Sequence, residues 1–376
     1  MAIEIDETVL VTGANGFLGA HVVYQLLERG ARVNGTVRSE KSASILRKRF
    51  SKEAKEGRLR IFLVPDISAQ GAFDLAAQGV DHIAHIAAPI PTRATEDLER
   101  SILKPSIQST ESILTTAQKL GVKSVVLTSS MAAVFRPDSD PNSTLTERDW
   151  NPSTYDSILS LIKEASCNLD GSSGRPLSKG GNIKLAFQVY MGAKAVSERR
   201  AWELSRSQDS RFSLTCINPV YFAGPTILGA PLESSSNSEL WSTLTVEGKG
   251  YGIPGWVDVR DVARSHVLSV LDGKGKGGRY LAVSDQSTPR QLRELASRAF
   301  PERFTNLASQ RKEDEEEEST RSKGKEQGKP SRSKSRVRTA KQRIDGTLLE
   351  KAFDFNYTPI DKTIRDLVDQ VVKYGP

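Results

Sequence analysis

Short apolar segments alternate with helical patterns along most of the chain, and this alternation restricts the fold more than any other feature. The segment "TVLVT" (8–12) predicts a short buried strand, and "FLGAHVVYQLLERG" (17–30) predicts a helix that ends at a glycine. Buried strands separated by helices are typical of a parallel sheet covered on both faces. The sequence therefore predicts an α/β fold with a doubly wound parallel sheet, in which ligands bind beyond the carboxyl ends of the strands.

The same pattern continues to about residue 220. Further strands are predicted from "RVNGTV", "LRIFLV", "HIAHIA", "SVVLTS" and "FSLTCINP", at 32–37, 59–64, 82–87, 124–129 and 212–219. Helices are predicted between them, at about 42–56, 95–120 and 188–206. A closing helix near the end of the chain is expected to be capped by Asp361.

A glycine-rich turn, "VTGANGFLGAH", joins the first strand to the first helix. Its three glycines permit a sharp turn, a close approach of backbone amides to a pyrophosphate, and tight packing of helix on strand. The amino terminus of a helix adds amide donors and partial positive charge. We therefore expect a dinucleotide to contact this turn through six residues: Gly13, Asn15, Gly16, Phe17, Leu18 and Gly19.

The end of the second strand indicates which dinucleotide binds. Arg38 stands where folds that bind NAD place an acidic residue for the ribose hydroxyls. A guanidinium forms charge-assisted bonds with phosphate, so this position favours the 2′-phosphate of NADP(H), and Lys41 adds a second charge. Asp66 and Ile67, after the third strand, are placed to meet the adenine.

Candidate catalytic residues follow the strand at 124–129. Ser129 and Ser130 lie at its carboxyl end, and Tyr190 and Lys194 share one face of a predicted helix. Reduction of a carbonyl group needs a proton on oxygen, and a phenol near an ammonium has a lowered pKa. We expect Tyr190 to donate the proton, Lys194 to lower the pKa of Tyr190, and Ser130 to hold the substrate oxygen. For Ser129 a hydroxyl bonded to the backbone is the better interpretation.

The chain has a net charge of +7, but one tract contains most of it. Residues 311–343 include 12 Lys/Arg and 7 Asp/Glu, which is five of the seven net charges. With almost no apolar residues, this region is expected to be a disordered charged insertion, assigned to 308–343. Nucleic-acid binding is therefore not expected of the folded part.

Other features indicate the compartment. The amino-terminal segment lacks the pattern of a signal peptide, and no apolar stretch is long enough to span a membrane. The two cysteines are too few for a disulfide framework or a zinc site, and the four histidines show no metal-ligand spacing with them. These observations predict a cytoplasmic protein without a bound metal.

The motifs "TGANGFLG", "TVRS", "HIAAP", "LTSSMAAV", "YMGAK" and "WVDVRDVARSHV" occur in one order along the chain. In that order they resemble the extended short-chain dehydrogenase/reductases, and in particular fungal NADPH-dependent aldehyde and ketone reductases related to dihydroflavonol reductases. The resemblance covers about residues 6–300 and implies reduction of an aldehyde or ketone by NADPH. It also implies a catalytic triad of Ser130, Tyr190 and Lys194.

The resemblance further implies a division into two domains. A Rossmann domain that binds NADP would comprise 6–217 and 255–285, and a smaller C-terminal domain of 218–254 and 286–376 would bind the substrate. Residues that also line the cofactor by this likeness are Ala87, Ala88 and Pro89 after the fourth strand, Ser129, Tyr190, Lys194, Pro219 and Val220. Asp258, Asp261 and His85 are expected to be structural.

The sequence departs from the family pattern in three places. Ala193 stands where a serine usually precedes the lysine, an insertion occupies about 160–185, and the charged tract interrupts the small domain. The first two bear on which substrate binds. Two alternatives remain open: a nucleotide-sugar epimerase or dehydratase, or a hydroxysteroid dehydrogenase, of the same superfamily, and a non-catalytic protein that senses dinucleotide. A monomer or weak dimer is expected.

Overall fold

The computed structural model describes residues 6–89, 97–136, 140, 142–170, 179–246, 255–304 and 342–376. Seven strands form the central sheet: β1 (Thr8–Thr12), β2 (Arg32–Val37), β3 (Leu59–Leu63), β4 (His82–His85), β5 (Ser124–Thr128), β7 (Ser213–Pro219) and β10 (Arg279–Ala282). Their order across the sheet is β10-β7-β5-β4-β1-β2-β3, and each pair of neighbours is parallel. The predicted doubly wound fold is thereby confirmed.

Helices connect these strands. In chain order they are α1 (Phe17–Glu28), α2 (Glu40–Arg49), α3 (Ser51–Lys55), α4 (Lys104–Leu120), α5 (Tyr155–Asp170), α6 (Lys179–Ser205), α7 (Ser235–Thr245), α8 (Val259–Asp272), α9 (Pro289–Ala299), α10 (Thr347–Phe353) and α11 (Ile360–Tyr374). A π-helical turn, Glu99–Leu103, precedes α4, and a 3₁₀ turn, Met131–Ala133, follows β5.

The sheet is buried on both faces. Alternate residues of β1 point to opposite sides, so Val9 and Val11 join the core beneath α1 and α8, while Leu10 joins the core beneath α4. Helix α1 packs against α8, and α4 packs against α6. Because β1 lies between β2 and β4, the strand order reverses beside β1, and a crevice opens there at the carboxyl edge.

A separate apolar cluster joins the elements beyond β7. Strands β8 (Tyr221–Ala223) and β9 (Trp256–Asp258) pair in parallel, and helices α7, α9 and α11 pack with them around the fully buried Trp256. Two short strands, β6 (Thr144–Leu145) and β11 (Arg343–Ile344), form another parallel pair. A distinct core in this region supports the predicted small domain, whose exact division from the rest remains a prediction.

The structure corrects several predicted boundaries. The helix expected at 42–56 is interrupted at Phe50, and the helix that holds Tyr190 begins at Lys179 rather than near 188. Asp361 does not cap the closing helix, because Pro359 is the N-cap residue and Asp361 lies in the first turn. The charged tract ends before Arg343, which pairs in β11, and 305–341 lies outside the described residues.

The described ranges contain neither a membrane-spanning helix nor a cluster of metal ligands. No helix there combines the length and apolarity that a bilayer crossing needs. The same part of the chain holds no group of three or more His, Cys, Asp or Glu side chains arranged to bind a metal ion. The one cysteine whose side chain is described, Cys216, is a buried free thiol.

Candidate active site

The glycine turn between β1 and α1 is closely packed. Gly13 has a φ of +65°, a left-handed conformation that favours glycine, and its carbonyl accepts the amide of Gly16 at 2.9 Å. A Cβ atom added to Gly19 would lie 2.2 Å from the carbonyl oxygen of Gly13. A side chain at position 19 would therefore force α1 away from the turn.

This turn fits the pyrophosphate of a dinucleotide. Gly16 is exposed, it is the N-cap of α1, and no side chain caps the amides of the first turn. No acidic residue occupies that turn either, so the helix amino terminus presents donors and partial positive charge to an anion. Asn15 and Phe17 are partly exposed beside it, whereas Leu18 is buried and anchors the helix.

Arg38 and Lys41 are both exposed directly beyond β2. Among the described residues, no carboxylate forms an ion pair with either side chain, whereas nearby Glu40 pairs with Arg47. Ser39 caps α2 by accepting the amide of Ser42 at 3.3 Å, which fixes the turn on which Arg38 lies. The position therefore fits recognition of a phosphate on the ribose.

The turn after β3, where the adenine is expected to bind, is held by hydrogen bonds of Asp66. Asp66 lies three residues past the end of β3, and its carboxylate accepts the amide of Ser68 at 2.8 Å and its hydroxyl at 2.6 Å. These two bonds hold the pKa of Asp66 below its usual value. Ile67 is partly buried beside it.

The loop after β4 faces the glycine turn. Thr12 at the end of β1 accepts the amides of Ile86 at 2.9 Å and Ala87 at 3.0 Å, and this ties the two strand ends together. A Cβ atom on Gly13 would lie 3.2 Å from the Cα of Ala87. The partly exposed Ala87, Ala88 and Pro89 thus form one wall of the crevice.

The structure brings the three predicted catalytic residues to one place. Ser130 follows β5, and its hydroxyl is hydrogen-bonded to the phenol of Tyr190 on α6. Lys194 lies one helical turn further along α6, with its ammonium 3.5 Å from the carbonyl oxygen of Thr128. All three side chains are partly buried. Their arrangement beside the crevice supports the predicted roles, which remain predictions.

The pKa of Tyr190 departs from the expected direction. Burial raises the pKa of the phenol above its ordinary value, and the hydrogen bond from Ser130 opposes that shift. An ammonium close to the phenol was expected to lower this pKa. The net shift is upward, because burial disfavours the phenolate more than its surroundings stabilise it.

Lys194 is strongly affected by its surroundings. Burial lowers its pKa to about 8, and the negative charge of Glu198 acts in the opposite direction. His85 lies on the neighbouring strand, and burial followed by the charge of Lys194 lowers its pKa to about 3. His85 is therefore neutral at physiological pH, and its Nδ1 is bonded to the Thr12 hydroxyl at 3.0 Å.

Ser129 contacts a residue that the sequence analysis missed. Its hydroxyl was expected to bond to the backbone, but it donates to Oε2 of Glu198 at 2.5 Å. Glu198 is 1% exposed and lies four residues after Lys194, on the same side of α6. That spacing was the available signal, although a carboxylate at such a position is more commonly a solvated surface residue.

Other predicted contacts surround the three residues. Pro219 and Val220 are buried at the end of β7, and the amide of Val220 donates to the Ala282 carbonyl at 3.2 Å. The ring of Phe187 stacks on Tyr190 with centroids 6.3 Å apart. Ala193, in place of the family's serine, is fully buried against α5 and the π-helical turn.

Two cavities lie near the carboxyl edge. A narrow one of about 20 Å³ lies behind the site and is lined by His85, Lys194 and Glu198 among others. A larger one of about 360 Å³ lies beyond β10, between Val283, Gln286 and Tyr357, and none of the three candidate catalytic residues lines it. The larger cavity is thus separate from the candidate catalytic residues.

The fold and site define an oxidoreductase that binds a dinucleotide. A model of the 3-beta hydroxysteroid dehydrogenase/isomerase family matches residues 10–185. An oxidoreductase of Schizosaccharomyces pombe is 33% identical over 312 residues, covering 80% of this chain and 84% of the relative. The chain belongs to the extended short-chain dehydrogenase/reductase family, as the resemblance predicted.

Two further relatives cover nearly the whole chain. The NADPH-dependent methylglyoxal reductase GRE2 of Saccharomyces cerevisiae is 29% identical over 384 residues, which is 98% of each chain. The crystal structure of Gre2 from Candida albicans in complex with NADPH superposes with a TM-score of 0.75 at 28% identity, covering 98% of this chain and 100% of that one. The similarity therefore includes the segments that form the candidate site.

Proposed function

We propose that this protein reduces an aldehyde or ketone to the alcohol with NADPH. The observation that carries the proposal is the hydrogen bond between Ser130 and Tyr190, with Lys194 one helical turn away, at the carboxyl edge beside the glycine turn. A proton donor at this edge would lie where a nicotinamide meets a substrate. The similarity to an NADPH-dependent reductase over 98% of the chain supports the same reaction.

The protein's part in the reaction is to hold and protonate the carbonyl oxygen. The hydroxyl groups of Ser130 and Tyr190 are hydrogen-bonded to each other, so a carbonyl oxygen bound beside both would accept a bond from each. As negative charge develops on that oxygen, Tyr190 donates its proton. The ammonium of Lys194 lies on the same side of α6 and stabilises the negative charge that the transfer leaves on the phenol.

The cofactor would be held by residues already described. The glycine turn and the amino terminus of α1 bind the pyrophosphate, Arg38 and Lys41 bind the 2′-phosphate, and the loop that includes Ala87 lines the crevice. When bound, the nicotinamide supplies a hydride to the carbonyl carbon. The aromatic ring of Phe187 restricts the space beside Tyr190 and orients the substrate.

A carbonyl panel tests the reaction. Purified protein is mixed with NADPH or NADH and a set of aldehydes, ketones and diketones, and dinucleotide oxidation is followed by absorbance. We expect turnover of at least one carbonyl, with kcat/KM at least about tenfold higher for NADPH, because Arg38 recognises phosphate. Binding of NADPH without turnover of any carbonyl would instead favour a sensing protein.

The matched family model supports one alternative activity, oxidation of a hydroxysteroid. It describes hydroxysteroid dehydrogenases and isomerases and covers residues 10–185, which include the glycine turn and Ser130. Oxidation of a 3-hydroxysteroid with NAD⁺ in the same assay, faster than any carbonyl reduction, would favour that activity. NAD bound to the purified protein would favour the nucleotide-sugar epimerases or dehydratases.

We also propose that the protein acts in the cytoplasm as a monomer or weak dimer that does not bind nucleic acid. The free buried thiol of Cys216 is consistent with a reducing compartment. Light scattering during gel filtration at two protein concentrations tests the oligomeric state. A mass that stays at twice that of the chain on dilution would contradict it.

A further inference from the structure

Glu198 is a buried carboxylate with four hydrogen-bond donors around it. It receives bonds from the Ser129 hydroxyl at 2.5 Å, the Asn218 amide at 2.6 Å, Nε of Arg279 at 2.5 Å and the indole of Trp202 at 3.3 Å. Its side chain is 0% exposed and that of Arg279 is 8% exposed. Burying an ion pair is costly unless hydrogen bonds satisfy both charged groups, and here the four donor residues satisfy the carboxylate.

Trp202 lies on the same helix as Glu198, but the other three donor residues come from different parts of the fold. Ser129 follows β5, Asn218 lies in β7, and Arg279 begins the edge strand β10, whereas Glu198 shares α6 with Tyr190 and Lys194. Asn218 also donates to the carbonyl oxygen of Ser130 at 3.1 Å. The carboxylate therefore connects the helix that holds two candidate catalytic residues to the strand end that holds the third.

Arg279 extends this connection to the loop before α5. Its guanidinium donates to the carbonyl oxygens of Glu147 at 2.7 Å and Asp149 at 2.6 Å, and it lies 3.8 Å from the centre of the Trp150 ring. The guanidinium of Arg279 is planar and donates hydrogen bonds in fixed directions, so it holds Glu198 and the loop carbonyl groups in defined positions. Movement of Glu198 would be transmitted to both sides of the site.

On the basis of the proposed reductase activity, we propose that Glu198 is a positioning residue for the reaction. With Arg279 and Asn218 it fixes Ser130 against Tyr190, and through its charge it keeps Lys194 protonated. Glu198 itself touches neither substrate nor cofactor. Its effect passes through the main chain of Ser129 and Ser130 and through the electrostatic potential at Lys194.

Two titratable groups face Lys194, one on its own helix and one on a strand. Burial lowers the pKa of Lys194 to about 8, and the carboxylate of Glu198 on α6 opposes that shift. On β4 the imidazole of His85 faces it and has a pKa of about 3, so it is neutral near pH 7. Removing the Glu198 charge therefore leaves burial unopposed and lowers the pKa of Lys194 further.

The sign of the pH effect follows from the protonated state of Lys194. Activity that depends on its ammonium is complete below its pKa and is lost as pH rises through that value. A lower pKa in Glu198→Gln moves this loss to lower pH. If Glu198 had a purely structural role, its replacement would reduce turnover without shifting the pH at which activity is lost. The alkaline limb of the pH profile therefore distinguishes an electrostatic role from a structural one.

The test compares Glu198→Gln with Asp258→Asn, both assayed with NADPH and a carbonyl that the wild-type protein turns over. Asp258 is a matched control because its carboxylate is also 0% exposed and paired with an arginine, Arg260, but it caps α8 away from the three residues. Wild-type turnover in this assay tests the proposed function separately. Folding is checked from the thermal midpoint of each variant.

For Glu198→Gln we expect kcat to fall about tenfold or more, since displaced catalytic groups lose rate steeply, with KM for NADPH changed less than about threefold. The alkaline limb of kcat/KM should move at least about half a unit to lower pH, and that of Asp258→Asn should not move. The proposal is overturned if the alkaline limb of Glu198→Gln does not move and its kcat falls no more than that of Asp258→Asn.

A milder variant covers the case in which Glu198→Gln does not fold. Ser129→Ala removes one hydrogen bond of the carboxylate and leaves its charge and its bond to Arg279. We expect a fall in kcat of about threefold to tenfold with the alkaline limb unchanged. Wild-type kcat in this variant would show that the bonds of Glu198 do not position Ser130, and would overturn the positioning part of the proposal.

Discussion

Arg38 has an exposed side chain, and its proposed role is to bind the 2′-phosphate of NADPH. Among the described residues it has no ion-pair partner, so its replacement leaves the fold unchanged. In Arg38→Ser we expect kcat/KM for NADPH to fall about tenfold or more, equivalent to about 1.4 kcal/mol, with NADH little affected. Steady-state kinetics with each dinucleotide measures the change.

A matched arginine provides the control for that prediction. Arg290 is exposed in α9, far along the chain from the glycine turn, and pairs with Glu294 at 3.2 Å. Arg290→Ser should leave the preference for NADPH unchanged. Equal losses with NADPH and NADH in Arg38→Ser would show that Arg38 does not distinguish the two dinucleotides.

At Tyr190 and Ser129 the sequence identified residues but not their surroundings. The spacing of Tyr190 and Lys194 along one helix is local, and the structure places both beside Ser130. The raised pKa of Tyr190 depends on burial by distant segments. The bond of Ser129 to Glu198 joins residues 69 positions apart, which no local pattern reports.

Helix α8 begins at a carboxylate that also connects several elements. Asp258 accepts the amide of Arg260 at 2.8 Å as the N-cap, pairs with the Arg260 guanidinium, and accepts the hydroxyl of Thr363 on α11 at 2.7 Å. Asn at this position keeps an oxygen for the cap but loses the negative charge that pairs with the partly exposed guanidinium of Arg260.

We therefore expect Asp258→Asn to lower the free energy of unfolding by about 2 kcal/mol, because the amide loses charge-assisted bonds while Arg260 keeps its pair with Asp366. Urea titration followed by circular dichroism measures it. Turnover at 25 °C should stay within about twofold of wild type, because the change is distant from Ser130 and Tyr190. An unfolding midpoint equal to that of wild type would contradict a stabilising role for this pair.

The central elements could be predicted because their signals are local. Strands β1 and β2 have the predicted bounds, and the Gly13-to-Gly19 turn lies directly between strand and helix. The start of α6 at Lys179 was not predicted, because an atypical segment precedes it. The short pairs β6–β11 and β8–β9 were not predicted either, since two or three residues leave no periodicity.

At the scale of the whole molecule, the candidate site is an assembly at one edge of the sheet. Ser130 comes from the end of β5, Tyr190 and Lys194 from α6 and Asn218 from the end of β7, whereas Arg279 reaches Glu198 from the first residue of β10. A parallel sheet brings its carboxyl ends together, so the fold class alone predicts that such residues meet. The Glu198–Arg279 pair that connects them spans 81 residues and required the structure.

The substrate pocket depends on parts with fewer sequence signals. The predicted insertion overlaps the end of α5 and the start of α6, and Ala193 of α6 is buried in a cluster with α5 residues rather than exposed to substrate. We expect Phe187, whose ring stacks on Tyr190, to contribute to the carbonyl specificity. Neither its contacts nor the pocket shape follows from periodicity.

We propose that Tyr190 protonates the carbonyl oxygen during NADPH-dependent reduction. The most direct measurement is single-turnover oxidation of NADPH by Tyr190→Phe with a carbonyl substrate of the wild-type protein. Tyr24→Phe, which changes a tyrosine 38% exposed on α1, is the control.

We predict that the rate for Tyr190→Phe falls about 10²-fold to 10⁴-fold, because the proton donor is lost while the ring remains. Binding of NADPH should change less than about threefold, and Tyr24→Phe should match wild type. A rate for Tyr190→Phe within about threefold of wild type would contradict the account.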